Sequence, residues 1–381
     1  MIFKFYVTFI SSLQKTFKLY SQTIIQFVKE AIMSVNNQSI CLKVSSVLVF
    51  MLIFQSVFSQ YNFSELDALL KQSEKDLGKN MVTLIYTNGK MVYKKETDEF
   101  KANTQAPIAS CSKWLTAALV MTYVDEGKLS LDDKVSTYLP IFAKYGKSYI
   151  TIRECLSHQT GIKQDQITLL GLLSRKKFAS LEEEVNDFAS KKEIDFNPGT
   201  GFYYGQTGLN IAARVCEIVG KRQFEQLMQE RILRPLNMRA TSFFSENAVN
   251  PSGGANSTAQ DYMNFLVMIL NKGMFNGKRI LSEKSITEMQ TPQNTLAQVK
   301  YAPKVAEGFM YGLGEWILET DANGKTIAVS SPGLFGTWPI VNNCRGYACI
   351  FFTKKLISQD KKSIYLDLLK AVDASIPDHC K

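Results

Sequence analysis

Residues 107–120 read Pro107-Ile108-Ala109-Ser110-Cys111-Ser112-Lys113-Trp114-Leu115-Thr116-Ala117-Ala118-Leu119-Val120. A short extended entry leads into a segment that stays apolar almost all round through Tyr123 and stops at Gly127. That is the pattern of a helix buried at the centre of a domain. Ser110 and Lys113 are three residues apart, so one helical face carries both side chains. A lysine kept neutral by burial can take the proton of a serine hydroxyl, and the amides at a helix start can support an oxyanion. A capping serine with a lysine snorkelling out of an apolar helix is the other reading of the same residues.

The spacing alone decides little, because Ser-x-x-Lys occurs four times, at Ser12–Lys15, Ser110–Lys113, Ser174–Lys177 and Ser358–Lys361. The first lies in an N-terminal leader. The third and fourth stand in polar, lysine-rich stretches where the ammonium stays hydrated and charged. Only the second sits where an extended segment enters an apolar helix.

Outward from that helix, Met81–Thr87, Asn88-Gly89 and Met91–Lys95 read as strand, two-residue turn and strand. Asn-Gly tolerates the positive φ angles of a type I′ turn. Residues 130–300 read mostly as helices between Gly-, Pro- and Asn-rich loops. Leu209–Val219 and Ala259–Leu270 are examples, the latter capped by Ser257-Thr258. Strands return at Gly314–Glu319, Lys325–Ser330, Thr337–Val341 and Tyr347–Thr353. Strands at both ends with helices between predict an α+β fold: one antiparallel sheet built from both termini, flanking helices and an inserted, mainly helical region. The sheet part is expected over about 60–125 and 300–381, the helical part over about 126–299.

Before this domain, residues 1–59 read as a leader. Lys43, the uncharged run Val44–Phe58 and the small residues Ser56 and Ser59 have the order of a secretory signal peptide. The run is short for a membrane span. Residues 1–32 read either as an extension upstream of Met33 or as an organellar transit peptide. The expected location is secreted or periplasmic; an organellar protein, or one tethered through an uncleaved leader, is the alternative.

The net charge of +9 includes five Lys and one Glu of the leader, leaving +5 for the rest, with no basic run interleaved with aromatics. Nucleic-acid binding has no support. With two histidines and no C-x-x-C spacing, no metal or cofactor is expected. Cys111, Cys155 and Cys216 stand in apolar helical contexts and read as buried thiols. Cys344 and Cys349 flank Arg345–Ala348 and read either as a disulfide across a hairpin or as buried thiols. A G-x-S-x-G elbow, a P-loop and G-x-G-x-x-G are all absent from the sequence. His379 lies in a polar tail and His158 ends a helix, where it reads as packing or capping a turn, so neither suggests a Ser-His-Asp triad.

The segment Ile108–Lys113 resembles the active-site segment of class C β-lactamases and their esterase and D-Ala peptidase relatives, within the wider serine β-lactamase and penicillin-binding protein family. The similarity continues in the family's order. It includes Glu126–Asp133, Tyr138-Leu139-Pro140, Ile152–Ile162 (with His158 in a structural turn), Pro235–Met238 and Tyr311–Gly314. It spans about Met81 to Thr353. Pro198–Gly208 is similar to the family's P-G-T-x-F-x-Y-S-N-x-G. This implies a proton-relaying role for Tyr204, and a substrate- or lysine-holding role for Gln206, which lengthens the usual asparagine by a methylene. Tyr262-Met263-Asn264 is the literal Y-x-N match but sits inside an apolar helix and reads as core and surface.

The family's third motif, K-T-G or H-x-G, is matched by Ser331–Thr337. The resemblance implies that Gly333 lets backbone approach the substrate and that the Leu334 amide joins that of Ser110 in an oxyanion hole. Ser331 replaces the usual cation or imidazole among the substrate-binding residues. A hydroxyl binds a carboxylate less strongly than a charged partner.

Together these readings predict an exported serine hydrolase acting on an ester or amide, of a small molecule or peptide, through an acyl-enzyme on Ser110. Lys113 and Tyr204 would activate the nucleophile. One alternative is a β-lactamase or D-Ala-D-Ala carboxypeptidase with its cation supplied elsewhere, from Lys354 or Lys355. A non-catalytic binding or sensor protein on the same fold is the other.

Overall fold

A computed structural model describes residues 61–97, 99–164, 166, 176–355 and 361–380. The leader reading, Ser12–Lys15, Ser174 and Ser358 lie outside the described residues.

Seven strands form the main sheet: β1 (Met81–Thr87), β2 (Lys90–Lys95), β3 (Met310–Tyr311), β4 (Trp316–Thr320), β5 (Thr326–Ser330), β6 (Trp338–Asn342) and β7 (Tyr347–Thr353). Their order is β2-β1-β7-β6-β5-β4-β3, and every pair is antiparallel. The first two come from the N-terminal side of the helical region and the rest from its C-terminal side. The β1–β7 ladder that joins them runs unbroken from Met81↔Thr353 to Thr87↔Tyr347. The β1–β2 turn uses left-handed backbone at Asn88 (φ 50°) and Gly89 (φ 78°), as Asn-Gly predicts.

The longer helices among the described residues are α1 (Ser64–Gln72), α2 (Ser112–Asp125), α3 (Leu181–Lys191), α4 (Thr207–Gly220), α5 (Ala259–Leu270) and α6 (Lys362–Ser375). The Thr258 hydroxyl caps α5 by accepting the Asp261 N–H.

Strand β7 is apolar throughout because both its faces are covered. Tyr347, Cys349 and Phe351 face a layer made by α1 and α6, with Leu66, Leu70, Leu368 and Val372. Ala348, Ile350 and Phe352 face the main core, shared with Trp114 of α2 and Tyr262 and Phe265 of α5. Of the fourteen residues of α2, all but Val124 and Asp125 are buried, which accounts for its lack of a polar face.

The structure decides between the two readings of Cys344 and Cys349 and adds a pairing that neither included. Cys344 does not pair with Cys349; it is disulfide-bonded to Cys380, Cα atoms 5.0 Å apart, and Cys349 is a buried free thiol. Alternation along β7 turns Cys349 into the layer beneath α1 and α6, opposite Ile85 and Ile340, while Cys344 sits in the β6–β7 turn.

Candidate active site

The chain enters the site through Ala106-Pro107, which pairs antiparallel with Asn256-Ser257, and the Ile108 N–H donates to the Ala255 carbonyl (3.0 Å). Ala109 is then forced into left-handed backbone, φ 44°, which a residue with a Cβ rarely adopts. It starts a single 3₁₀ turn, Ala109–Cys111, that puts Ser110 at the mouth of α2. The loop 250–256 holds this turn. Ser112 Oγ accepts the Ala255 N–H (3.1 Å) and Thr116 Oγ1 donates to the Pro251 carbonyl (2.7 Å).

Lys113 is 1% exposed. Its Nζ donates to Ser110 Oγ at 3.2 Å and to the Ser252 carbonyl at 2.8 Å. Ser252 is fixed in turn. Its N–H donates to Asn210 Oδ1 (3.1 Å), and Asn210 Nδ2 donates to Glu184 Oε2 (3.0 Å). The lysine is thus aimed at the serine from behind by a chain of groups on α4 and α3.

Tyr204 lines the same cleft as the serine. Its N–H donates to the Tyr301 carbonyl (3.1 Å), and its neighbours are pinned by His158: Tyr203 N–H to the His158 carbonyl (3.0 Å), Gly205 N–H to His158 Nδ1 (3.4 Å). The Tyr204 side chain lines the cleft with Ser110, and Lys113 Nζ lies 4.9 Å from its ring centroid. Burial pushes the Tyr204 phenol above its ordinary pKa, with the neighbouring Ser110 side chain opposing. His158 packs against Phe202, Tyr204 and Tyr311. Burial, with the nearby Lys113 charge second, holds its imidazole well below the ordinary value. It is a neutral support for Tyr204, as its place in a turn suggests.

The facing wall is the loop after β5. At Gly333 a Cβ would lie 2.3 Å from the Ile108 carbonyl oxygen and 3.1 Å from Cys111 Sγ, so only glycine fits. The Gly333 N–H donates to the Thr337 carbonyl (2.8 Å), closing a turn that brings Leu334 to the cleft with Ser110. The cleft is open to solvent, and Ser110, Tyr204, Trp316, Gly333 and Leu334 are among its lining residues.

The sequence profile of the β-lactamase family matches residues 70–372. The chain belongs to the β-lactamase family. A Beta-lactamase-like protein 2 from Dictyostelium discoideum is 25% identical over 280 residues, 62% of this chain and 50% of the relative, so this chain spans about half its length. The structure of a candidate β-lactamase from Bacteroides dorei DSM 17855 is 29% identical. It superposes with a TM-score of 0.73 over 82% of this chain and 99% of that one. EstCE1, a hydrolase with promiscuous acyltransferase activity, shares the fold at 19% identity and a TM-score of 0.67, covering 81% of this chain and 97% of its own. Hydrolases recur among the solved structures with this fold, carboxylesterase and D-stereospecific amidohydrolase included.

Within this β-lactamase fold, two residues with implied substrate roles stand elsewhere than on the cleft wall. Gln206 is half-buried at the N-cap of α4. Ser331 is 1% exposed, and its hydroxyl donates to the carbonyls of Ser110 (3.4 Å) and Gly314 (3.3 Å). It braces backbone. Tyr262 is core: its hydroxyl donates to the Cys111 carbonyl (2.8 Å). Lys354 and Lys355 are drawn off, one to 5.8 Å from the Phe100 ring centroid, the other onto the Lys75 carbonyl.

Other members of the site carried no motif. Ser252 acts through its carbonyl and Asn210 through an amide 97 residues from Lys113 in the chain. Glu315, between Gly314 and the cleft residue Trp316, is fully buried, and neither carboxyl oxygen has a hydrogen-bond partner among the described residues. Burial pushes its pKa well above the glutamate range, so it is a neutral acid. A lone glutamate ordinarily reads as surface, so composition carried no signal of it.

Proposed function

We propose that this chain is an exported serine hydrolase that cleaves an ester or amide through a Ser110 acyl-enzyme. The observation that carries the reading is the gathering at one cleft of Ser110, the buried Lys113 amine, whose Nζ is 3.2 Å from Ser110 Oγ, and Tyr204. Lys113, with Tyr204 relaying, takes the Ser110 proton as Oγ attacks the substrate carbonyl. The phenol, protonated at the outset because burial raises its pKa, passes a proton on and stores no charge. The Ser110 and Leu334 amides hold the tetrahedral oxyanion. Its collapse breaks the bond to the alcohol or amine, which leaves with the proton held by the Lys113–Tyr204 pair. Water then gives a proton to the same pair, attacks the acyl carbon and releases the acid, and Ser110 recovers its hydrogen.

Export is supported by the basic, apolar and small-residue order of residues 43–59. The Cys344–Cys380 disulfide fits an oxidising compartment. Among the described residues no helix is long and apolar enough to cross a membrane.

A neutral substrate is favoured because Ser331 brings no cation to the third motif. Penicillins and D-Ala-D-Ala peptides form the second reading, and Lys361 on the cleft wall is the observation in its favour. Asp76 holds that ammonium at 2.6 Å, which offsets its charge. Fluorophosphonate labelling of the purified protein, with the adduct mapped by mass spectrometry, tests the nucleophile. The expected adduct is on Ser110 and is absent from Ser110→Ala; labelling elsewhere, or none, overturns the mechanism. Faster turnover of a chromogenic cephalosporin than of a short-chain ester would promote the second reading.

A further inference from the structure

Beyond the nucleophile, the cleft extends over the end of the sheet toward α6. Val305, Trp316, Leu334, Trp338 and Tyr365 form most of this extension. Trp338 and Tyr365 stack with ring centroids 4.4 Å apart, and the Tyr365 hydroxyl is used up in donating to the Gly336 carbonyl. The pair presents mainly aromatic carbon to the cleft, with the buried Trp338 Nε1–H lacking a hydrogen-bond partner among the described residues. The two lysines at the start of α6 add no net demand for an anion. Lys361 is ion-paired with Asp76, and Lys362 donates to the Glu307 carbonyl while its ammonium lies 4.0 Å from the Phe309 ring centroid.

We infer that this extension is a binding site for an uncharged, apolar arm of the substrate, an alkyl or aryl chain, continuous with the reacting carbonyl at Ser110. This rests on the acyl-enzyme reading above and deepens it by naming the substrate class. The composition of the walls points to such an arm: Val305, Leu334 and the Trp338–Tyr365 pair present mostly apolar surface, and Lys361 and Tyr365 already have polar partners within the protein. Each methylene that enters such a site gains the transfer free energy of a buried CH₂, roughly a fourfold rise in kcat/KM.

Two ester series on the full chain test this, one lengthening the acyl arm of p-nitrophenyl esters from acetate to octanoate, the other lengthening the alcohol of acetate esters. The expected result is a rise of about fourfold per methylene along one arm over the first several carbons, which also identifies the arm. Val305→Trp should reduce the ratio of long-chain to short-chain kcat/KM and Val305→Ala should raise it. A general folding defect scales both esters together and cannot move that ratio in opposite directions. Flat series along both arms, or an unchanged ratio in both variants, overturn the inference while Ser110 labelling still stands. Binding of straight-chain alkanamides to Ser110→Ala, read by fluorescence of Trp316 and Trp338, tests the pocket without turnover. Affinity should grow with chain length there too, even where loss of labelling has disproved the acyl-enzyme, and length-independent affinity counts against the pocket.

Discussion

At the residue scale the site is a serine with a buried lysine 3.2 Å away. Lys113→Met keeps the apolar stem and removes the amine, so thermal stability should change little. Ester hydrolysis should fall by about 10²–10⁴-fold, the range for loss of a general base; activity within tenfold of wild type would place the base elsewhere. Glu315 makes a prediction about pH. Its folded pKa is raised above the ordinary glutamate value of 4.5. Below that value both folded and unfolded states hold the proton; above it the unfolded chain releases the proton and the folded chain does not. The stability Glu315 allows is therefore complete below 4.5 and drains away as pH rises toward the folded pKa. Glu315→Gln removes this drain, so the stability of the variant relative to wild type should climb from pH 4.5 upward, by at most about 1.4 kcal/mol per pH unit. Urea unfolding between pH 4 and pH 9 measures it, and a difference independent of pH would show that the carboxyl ionises in the folded protein. Ser110 and Lys113 were legible in the sequence because they share one helical turn. The Ser252 carbonyl and Asn210 were not, because the carbonyl meets Lys113, and Asn210 meets the Ser252 N–H, only after folding brings together segments 139 and 97 residues from the lysine.

The elements explain why some motif positions kept their expected places and others did not. The β1–β2 hairpin, α5 and β7 follow from local signals: a two-residue Asn-Gly turn, a Thr cap, and an apolar run bounded by Gly346. The Cys344–Cys380 bond follows from no local signal, since it depends on where α6 delivers the tail. The loop after β5 is intermediate. Its glycine was legible, but Ser331 was read as facing substrate because a motif records which residue stands at a position and not where its hydroxyl turns. Two substitutions separate these roles. Gly333→Ala drives a Cβ against the Ile108 carbonyl, shifts the Leu334 amide and should lower kcat/KM by about 10²–10³-fold, the cost of one oxyanion donor. Ser331→Ala loses only bonds of 3.3 and 3.4 Å to backbone, and should leave KM within about threefold of wild type. A large rise in KM for Ser331→Ala would restore the substrate role implied by the family motif.

Across the described domain, the β1–β7 ladder joins residues 268 apart in sequence at Thr83↔Phe351, and the same strands are covered by α1 and α6 on one face and by α5 on the other. The placing of Ser110 in one cleft with Leu334 depends on this closure, because α2 packs on one side of the sheet while the loop after β5 comes from the sheet itself. Exposing β7 on either face uncovers apolar surface on both β1 and β6, so these three strands should open together. Strands β3 and β4 lie toward the far edge, and β3 is a two-residue pairing at the border of the sheet. Hydrogen exchange followed by mass spectrometry should therefore show peptides from 81–87, 338–342 and 347–353 exchanging slowest and with a common opening free energy, despite their distance in sequence. Peptides over 310–311 should exchange faster. Exchange of β1 well ahead of β7 would mean that the N-terminal hairpin opens independently of the strands that carry Leu334. Helix α2 and the loop after β5 would then not share one cooperative unit.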